Sequence, residues 1–311
     1  MANPLDDPLY YLHNFRQVLH WLGQRYADLL EPDEEHFIQQ FDSLAQPSQA
    51  LLVRMVMRKG VHFRAGKLSY QEVGCTHAAA MPLRALGWVD DQCLLAFEEV
   101  FALLQKGEIL STFKPWIDHP KGNKADWLEG LTAQFSETRS FAQWCPALAE
   151  PLYSLTVMDL CDRLRLMFFG NLHQDWSEFV LADLGIYTYE KVAFCTESRG
   201  LRSRDDVHGV LFLHQCQHAF ETGAALHDVL AQVATLTTDN PWLEKRRAKL
   251  LFQVGQYCER SAELALAEQI YRTCAYPGAR ARLIRVLERQ EDYAQAMALA
   301  SAAQQAPESA A

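Results

Sequence analysis

The chain has 311 residues, 49% of them hydrophobic, and a formal net charge of -10, enough for two or three domains with sizeable cores. No run of about 18 apolar residues occurs, which excludes a spanning helix, and residues 1–8 are polar and acidic where a signal peptide would be basic and then apolar, so the cytoplasm is the expected compartment. The eight cysteines, Cys75, Cys93, Cys145, Cys161, Cys195, Cys216, Cys258 and Cys274, are scattered singly without C-x-x-C, which excludes a zinc ribbon or disulfide framework and marks them as small buried hydrophobes.

Twelve prolines and fifteen glycines are few for this length and favour long helices over short strands. Leu12, Phe15, Leu19, Leu22, Tyr26 and Leu29 recur at three- and four-residue steps and predict a helix over 9–30. Pro32 closes it, and Asp33 is placed to cap a second helix carrying Phe37, Ile38, Phe41 and Leu44. A third helix is predicted over 49–59, with Arg54 and Arg58 on one face. Ser69 and Glu72 have the spacing of a capping box, predicting a short helix ended by Gly74. A further helix from Thr76 to Leu86 and a wing or strand at Gly87-Trp88-Val89 complete the order of a winged helix-turn-helix. The second helix of that pair is poor in long polar side chains, Arg84 being its one cation, so reading of base edges is not expected. Two apolar helical runs follow, Leu94 to Leu104 and Asp126 to Phe135. From Leu152 onward the chain reads as successive helices, including a loop and helix from Asn171 to Gly185 and a restart at Asp239-Asn-Pro-Trp. A weak internal repeat, with Ala267 and Ala296 spaced by 29 residues, suggests tetratricopeptide-like helix pairs. Residues 301–311 read as a linker or frayed helix.

Charge is unevenly spread. Residues 54–67 hold five bases, Arg54, Arg58, Lys59, Arg64 and Lys67, and no acid, while 245–289 hold ten bases and four acids. Basic stretches on an otherwise acidic chain fit a track for a polyanion, although runs of charge are also what solvated helix faces look like. The candidate phosphate-contacting residues are Arg54, Arg58, Lys59, Arg64, Lys67, Lys121, Lys124, Arg199, Arg202, Lys245, Arg246, Arg247, Lys249, Arg280, Arg282 and Arg285.

Catalytic signatures are missing. There is no Walker loop, G-x-G-x-x-G, G-x-S-x-G or H-E-x-x-H. A metal-dependent nuclease needs an acid on one strand and E-x-K on the next; Asp118 or Asp126 could supply an acid, but no strand carries E-x-K. His208, His214, Cys216 and His218 fall within eleven residues, and a His pair four apart can chelate zinc, yet the surrounding Val210, Leu211, Phe212, Leu213 and Phe220 favour a structural role, with Glu221 the one nearby carboxylate. The seven tryptophans sit mostly at apolar-periodic positions and read as core more than as base-stacking platforms.

Residues 121–128, Lys-Gly-Asn-Lys-Ala-Asp-Trp-Leu, resemble the core of the SAP motif, a small DNA-binding helical module. Together with Tyr10-Tyr-Leu-His-Asn-Phe15, Leu52-Val-Arg-Met-Val-Met-Arg-Lys59, Lys67-Leu-Ser-Tyr-Gln-Glu-Val73 and the stretch from Phe169 to Gly185, taken in this order, the chain resembles the Fanconi-anaemia-associated nuclease family, its bacterial branch in particular. The resemblance implies a mainly α chain with a winged helix-like N-terminal domain over 1–92, a SAP-type module over 93–150 and tetratricopeptide-like repeats over 151–311. It implies a role as the DNA-binding portion of a structure-specific repair nuclease that cuts near 5′ flaps in interstrand crosslink repair, gripping branched or nicked duplex without sequence preference. The family's virus-type replication-repair nuclease domain, with its Mg²⁺ or Mn²⁺ and its catalytic residues, would follow residue 311, so no catalytic or metal-binding residue is expected here. The implied compartment is bacterial and nucleoid-associated, or nuclear in a eukaryote. The alternatives are a helical-repeat scaffold for protein partners without DNA binding, and a zinc hydrolase at His214 and His218.

Overall fold

The computed structural model describes residues 7–176, 178 and 198–307. They fall into two compact units, 1–192 and 193–311. Both are mainly helical, and no described helix is long and apolar enough to cross a membrane.

The first unit opens with α1 (Tyr10–Arg25), α2 (Pro32–Ser43) and α3 (Gln46–Val56). The periodic apolar side of α1 is buried as predicted, through Leu12, Phe15, Leu19 and Leu22. Pro32 does not close α1; it opens α2 at a first-turn position, where a missing N–H costs nothing. Asp33 and Glu34 in that first turn receive Arg163, whose Nε lies 2.6 Å from Glu34. Phe15 packs against Phe41 and Trp176, with centroids 5.2 and 4.8 Å apart, and Phe37 against Trp88 at 4.5 Å.

The short helix expected over 69–73 is a turn. Glu72 is drawn away from Ser69: it accepts Arg54 Nη2 at 2.6 Å and the Tyr11 hydroxyl at 3.0 Å. Gly74 takes the left-handed conformation, φ 67°, at the end of that turn. The helix-turn-helix pair is therefore α3 with α4 (Thr76–Ala85), which pack on each other. The wing is a three-stranded antiparallel sheet. β1 (His62–Arg64) and β2 (Val89–Asp90) flank β5 (Leu152–Leu155), with Phe63 opposite Tyr153 and Val89 opposite Leu155. A strand from residues 152–155 thus sits at the centre of the N-terminal sheet, and α9 (Met158–Phe169) packs on α1. Residues 152–155, expected to lie in a helical-repeat region starting at 151, are a strand of the first unit with all four side chains buried.

Between these strands lies a second apolar cluster. β3 (Leu94–Leu95) pairs with β4 (Arg139–Ser140), and α5 (Phe97–Leu103), α6 (Lys106–Thr112), α7 (Lys124–Thr132) and α8 (Phe141–Trp144) surround Phe97, Phe101, Phe113, Trp127 and Trp144. The predicted run from Leu94 to Leu104 is a strand followed by a helix. The additional helix α6 starts where Glu108 reaches back to the Gln105 N–H at 2.7 Å. Asn123 caps α7 by accepting the Asp126 N–H at 2.9 Å, and the Trp127 indole donates to the His119 carbonyl at 2.9 Å. Gly122 lies under that indole: a Cβ there would stand 2.7 Å from Trp127 Nε1 and 3.1 Å from the His119 oxygen.

Arg64 joins the two parts of this unit. It is 5% exposed, and its guanidinium donates to Glu108 at 2.7 Å through both Nη atoms and to Glu150 at 2.8 Å through Nε and 2.5 Å through Nη2. Glu150 also accepts the Gly66 N–H at 2.8 Å. Hydrogen bonds from Arg64 hold the Glu108 carboxyl at about 2, against the opposing effect of burial.

In the second unit, α10 (Arg204–Glu221) and α11 (Leu226–Thr235) precede α12 (Pro241–Arg260), α13 (Leu264–Thr273), α14 (Ala279–Arg289) and α15 (Tyr293–Gln305). Asn240 caps α12 as the Asp239-Asn-Pro-Trp pattern predicts. The 29-residue period is visible in the backbone. Ala262 and Glu291 are both left-handed, at φ 63° and 64°. The next N–H in each case reaches back to the preceding helix, from Glu263 to Cys258 and from Asp292 to Leu287, both at 2.9 Å. Gly255 lets Tyr271 pack close, since a Cβ there would lie 2.6 Å from the ring. Ala267 and Ala296 are buried, whereas Tyr293 is 63% exposed. Residues 301–305, expected as a linker or frayed end, continue α15. The helix and glycine expected over 177–185 lie outside the described residues apart from Glu178.

Arg64→Ala is expected to cost about 1–3 kcal/mol in chemical denaturation, because it leaves two partly buried carboxylates without their hydrogen-bond donor. The depressed Glu108 carboxyl binds its proton more readily when unfolded, so its stabilisation is present above its ordinary 4.5 and is lost as pH falls toward about 2; melting temperatures across that window should fall less steeply in Glu108→Gln than in the parent. Gly122→Ala should cost about 1–3 kcal/mol by overpacking the indole, read as a lower urea midpoint.

Candidate nucleic-acid interface

The first basic stretch does not face solvent as one patch. Arg64 is consumed by Glu108 and Glu150, so the expected phosphate contact at this position is corrected to an interior ion pair. Arg54 lies between the rings of Tyr11 and Tyr70, at 3.9 and 4.8 Å, and is ion-paired with Glu72. Burial pushes the Glu72 carboxyl up, but hydrogen bonds from Arg54 outweigh it and leave the group below its ordinary value. Arg58 lies beyond the end of α3, stays exposed, donates to the Lys67 carbonyl at 3.0 Å and reaches the same Tyr70 ring at 5.9 Å. Lys59 and Lys67 are exposed. Arg58, Lys59 and Lys67 therefore remain as an outward basic edge, with Tyr70 between the two arginines.

In the SAP-like module the two motif lysines diverge. Lys124 turns inward, donating to the Leu104 carbonyl at 3.0 Å and lying 5.5 Å from the Phe101 ring, so it closes the end of α5. Lys121 is exposed. Two lysines outside the sequence-derived set join it: Lys106, 5.1 Å over Trp127, and Lys114, exposed at the turn after α6. Residues 109–117 contain no acid, a local signal that would have flagged Lys114.

The second unit divides in the same way. Arg199 is buried. Arg246 stacks on Trp242 at 4.0 Å, and Arg247 pairs with Glu244 at 2.8 Å. Arg280 donates to the Ala306 carbonyl at 2.7 Å. Arg282 contacts the buried Glu259 at 3.4 Å, a carboxylate that also accepts the Tyr271 hydroxyl at 3.2 Å. Lys245 and Lys249, one turn apart on α12, and Arg285 on α14 are exposed, as is Arg202. Among the described residues no lysine has a carboxylate within ion-pair distance, whereas Arg54, Arg64, Arg84, Arg163, Arg247, Arg272 and Arg282 all do. Arg84, the one cation of the second helix of the helix-turn-helix pair, is tied to Asp91 at 2.9 Å.

No hydrolytic centre assembles among the described residues. Glu31, Asp33 and Glu34 are the one described group of acidic, histidine or cysteine side chains close enough to share an ion, but the Arg163 guanidinium already neutralises Asp33 and Glu34. This donor set does not fit a catalytic metal. His208, His214 and His218 are exposed while Cys216 is buried, 3.7 Å from Gln232, so the histidines and the thiol do not converge.

Comparison with known proteins agrees with the modules built above. Residues 9–90 match the model "FAN1, HTH domain", and residues 94–144 match "Fanconi anemia-associated nuclease SAP domain". The "Fanconi-associated nuclease 1 homolog" of Pseudomonas aeruginosa is 54% identical over 305 residues, which is 98% of this chain and 55% of that protein. The Arabidopsis thaliana homolog is 29% identical over 192 residues, 58% of this chain and 21% of that protein. Two crystal structures of paFAN1, bound to 2nt and 1nt 5′ flap DNA with a gap, superpose with TM-scores of 0.92 and 0.89 at 54% identity, each covering 97% of this chain and 56% of the other. The chain thus spans about half the length of the bacterial relative and its structures. Residues 9–90 and 94–144 are thus a helix-turn-helix domain and a SAP domain of the Fanconi-associated nuclease type, in a chain 54% identical to the Pseudomonas protein along nearly its whole length.

Proposed function

We propose that this chain is the DNA-binding portion of a structure-specific repair nuclease, and that it grips flapped, gapped or nicked duplex through backbone phosphates. The observation that carries this is the unpaired state of the described lysines in a protein with 39 acids against 29 bases. No described acid of the fold is fixed against them, so Lys59, Lys67, Lys114, Lys121, Lys245 and Lys249, with Arg58 and Arg285, are left outward as the contact set. Flexible point charges of this kind bind phosphate without reading sequence. The exposed surface of α4 is mostly small or apolar, with Ala78, Met81 and Ala85 beside a single histidine, His77, which agrees with little base readout. The likeness to flap-bound paFAN1 supports the choice of branched DNA.

In this reading the second unit is a tetratricopeptide-like helical domain, and phosphodiester cleavage, with its Mg²⁺ or Mn²⁺, belongs to a separate nuclease domain that these residues present with substrate. Interstrand crosslink repair in a bacterial cytoplasm, on the nucleoid, is the corresponding cellular role.

Binding to flapped and plain duplex, measured against salt, tests the proposal. Affinity should fall steeply with salt, and the triple variant Lys59→Glu, Lys67→Glu, Lys121→Glu should reduce the log–log slope by about one for each phosphate that is no longer neutralised. Equal affinity for plain and flapped duplex, or a slope unchanged by the triple variant, would sink it. Loss of a protein partner with DNA binding intact on reversing Lys245 and Lys249 would instead favour a scaffold.

A further inference from the structure

Six of the seven tryptophans are accounted for by packing. Trp88, Trp127, Trp144 and Trp176 are buried. Trp21 packs edge-on against Phe168 at 5.2 Å, and Trp242 is covered by the Arg246 guanidinium. Trp116 differs: it is 46% exposed. It ends a 3₁₀ turn, Lys114–Trp116, between the buried side chains of Phe113 and Ile117, and its N–H donates to the Phe113 carbonyl at 2.9 Å. Pro115 fixes the backbone immediately before it. Its ring neighbours, Phe113 and Phe135, meet it at steep interplanar angles of 61° and 73°, so neither lies flat on it. No cation among the described residues sits over it.

The exposed residues around this ring in the chain are Lys114, Pro115, Asp118, His119, Pro120 and Lys121. Four of these six are charged or polar, unlike the apolar patches that mark protein interfaces. An exposed aromatic face flanked in the chain by the exposed Lys114 and Lys121 is instead the composition of a site for single-stranded nucleic acid, where bases stack and cations hold the backbone. A ring already fixed by its turn loses little entropy on binding.

We infer that Trp116 is a stacking platform for an unpaired nucleobase of the bound DNA, with Lys114 and Lys121 holding the phosphates that flank it. The inference rests on the DNA-binding reading above and deepens it by assigning recognition of the unpaired nucleotide to one side chain. Duplex grip comes from the lysines; discrimination of a flap or gap comes from the indole.

The test compares the parent chain, Trp116→Ala and Trp116→Phe by fluorescence anisotropy at fixed salt, on plain duplex and on duplex with a short 5′ flap and gap. A second readout places 2-aminopurine in the unpaired segment, where stacking quenches its emission. Trp116→Ala should weaken binding to the flapped, gapped DNA by about tenfold, the size of one base–aromatic stack, and leave plain-duplex binding unchanged. Trp116→Phe should restore most of the loss, and the parent should quench the probe. Equal losses on both DNAs, no loss, or no quenching by the parent overturns the assignment, and the quenching measurement decides the matter if the alanine variant does not fold. If the parent binds no DNA at all, the DNA-binding reading fails first; if it binds flapped DNA without quenching, the stacking assignment alone fails.

Discussion

Arg64 satisfies two carboxylates from inside the protein, and the arrangement of the first unit depends on it. Glu108 arrives from α6, Glu150 from the loop before β5, and Arg64 from β1. The strand β1 of the helix-turn-helix part, the helix α6 of the SAP module and the loop before β5 therefore meet at one guanidinium. A planar donor fork can meet two carboxylates at once, which a lysine ammonium cannot do with the same directionality. Gly66 permits the approach, since a Cβ there would come within 2.6 Å of Glu150. Burial of the pair also removes one base from the surface stretch 54–67 and leaves Arg58, Lys59 and Lys67 as its outward part.

The same division of labour runs through the molecule. Arginines tie elements together: Arg54 to Glu72, Arg163 to Asp33 and Glu34, Arg282 and Arg289 to Glu259. The described lysines stay in solvent, apart from Lys124, which closes the end of α5. Strongly hydrated point charges on flexible stems gain little from exposed ion pairs, and they remain available to a polyanion. A chain of net charge -10 can in this way bind phosphate locally while its remaining surface repels it.

The second unit repeats one local solution. A left-handed residue ends α12 and another ends α14, 29 positions apart, and each is followed by the same backward hydrogen bond. Small residues at Gly255 and Ala267 bring the helices close. The repeat is shorter than the 34 residues of a standard tetratricopeptide unit, and Tyr293 and Met297 stay exposed on α15.

What the sequence determined by itself was carried by near neighbours, although the cap of α6 and the opening of α2 at Pro32 were local and still missed. Apolar period located α1; Asn240 before Pro241 marked a helix start; the Gly122-to-Trp127 pattern identified the SAP turn; small-residue spacing suggested a 29-residue period. These signals are carried by hydrogen bonds and packing within a few residues. Tertiary structure decided the rest. Glu72 had the spacing of a cap but sits with Arg54, 18 residues away. Arg64 looked like the centre of a basic surface but pairs with Glu150, 86 residues away. Residues 152–155, with no strand alternation to betray them, became the central strand because all four side chains are buried. Which cations face outward was likewise invisible, because an ion pair across the fold leaves no periodic trace in the chain, while a helix does.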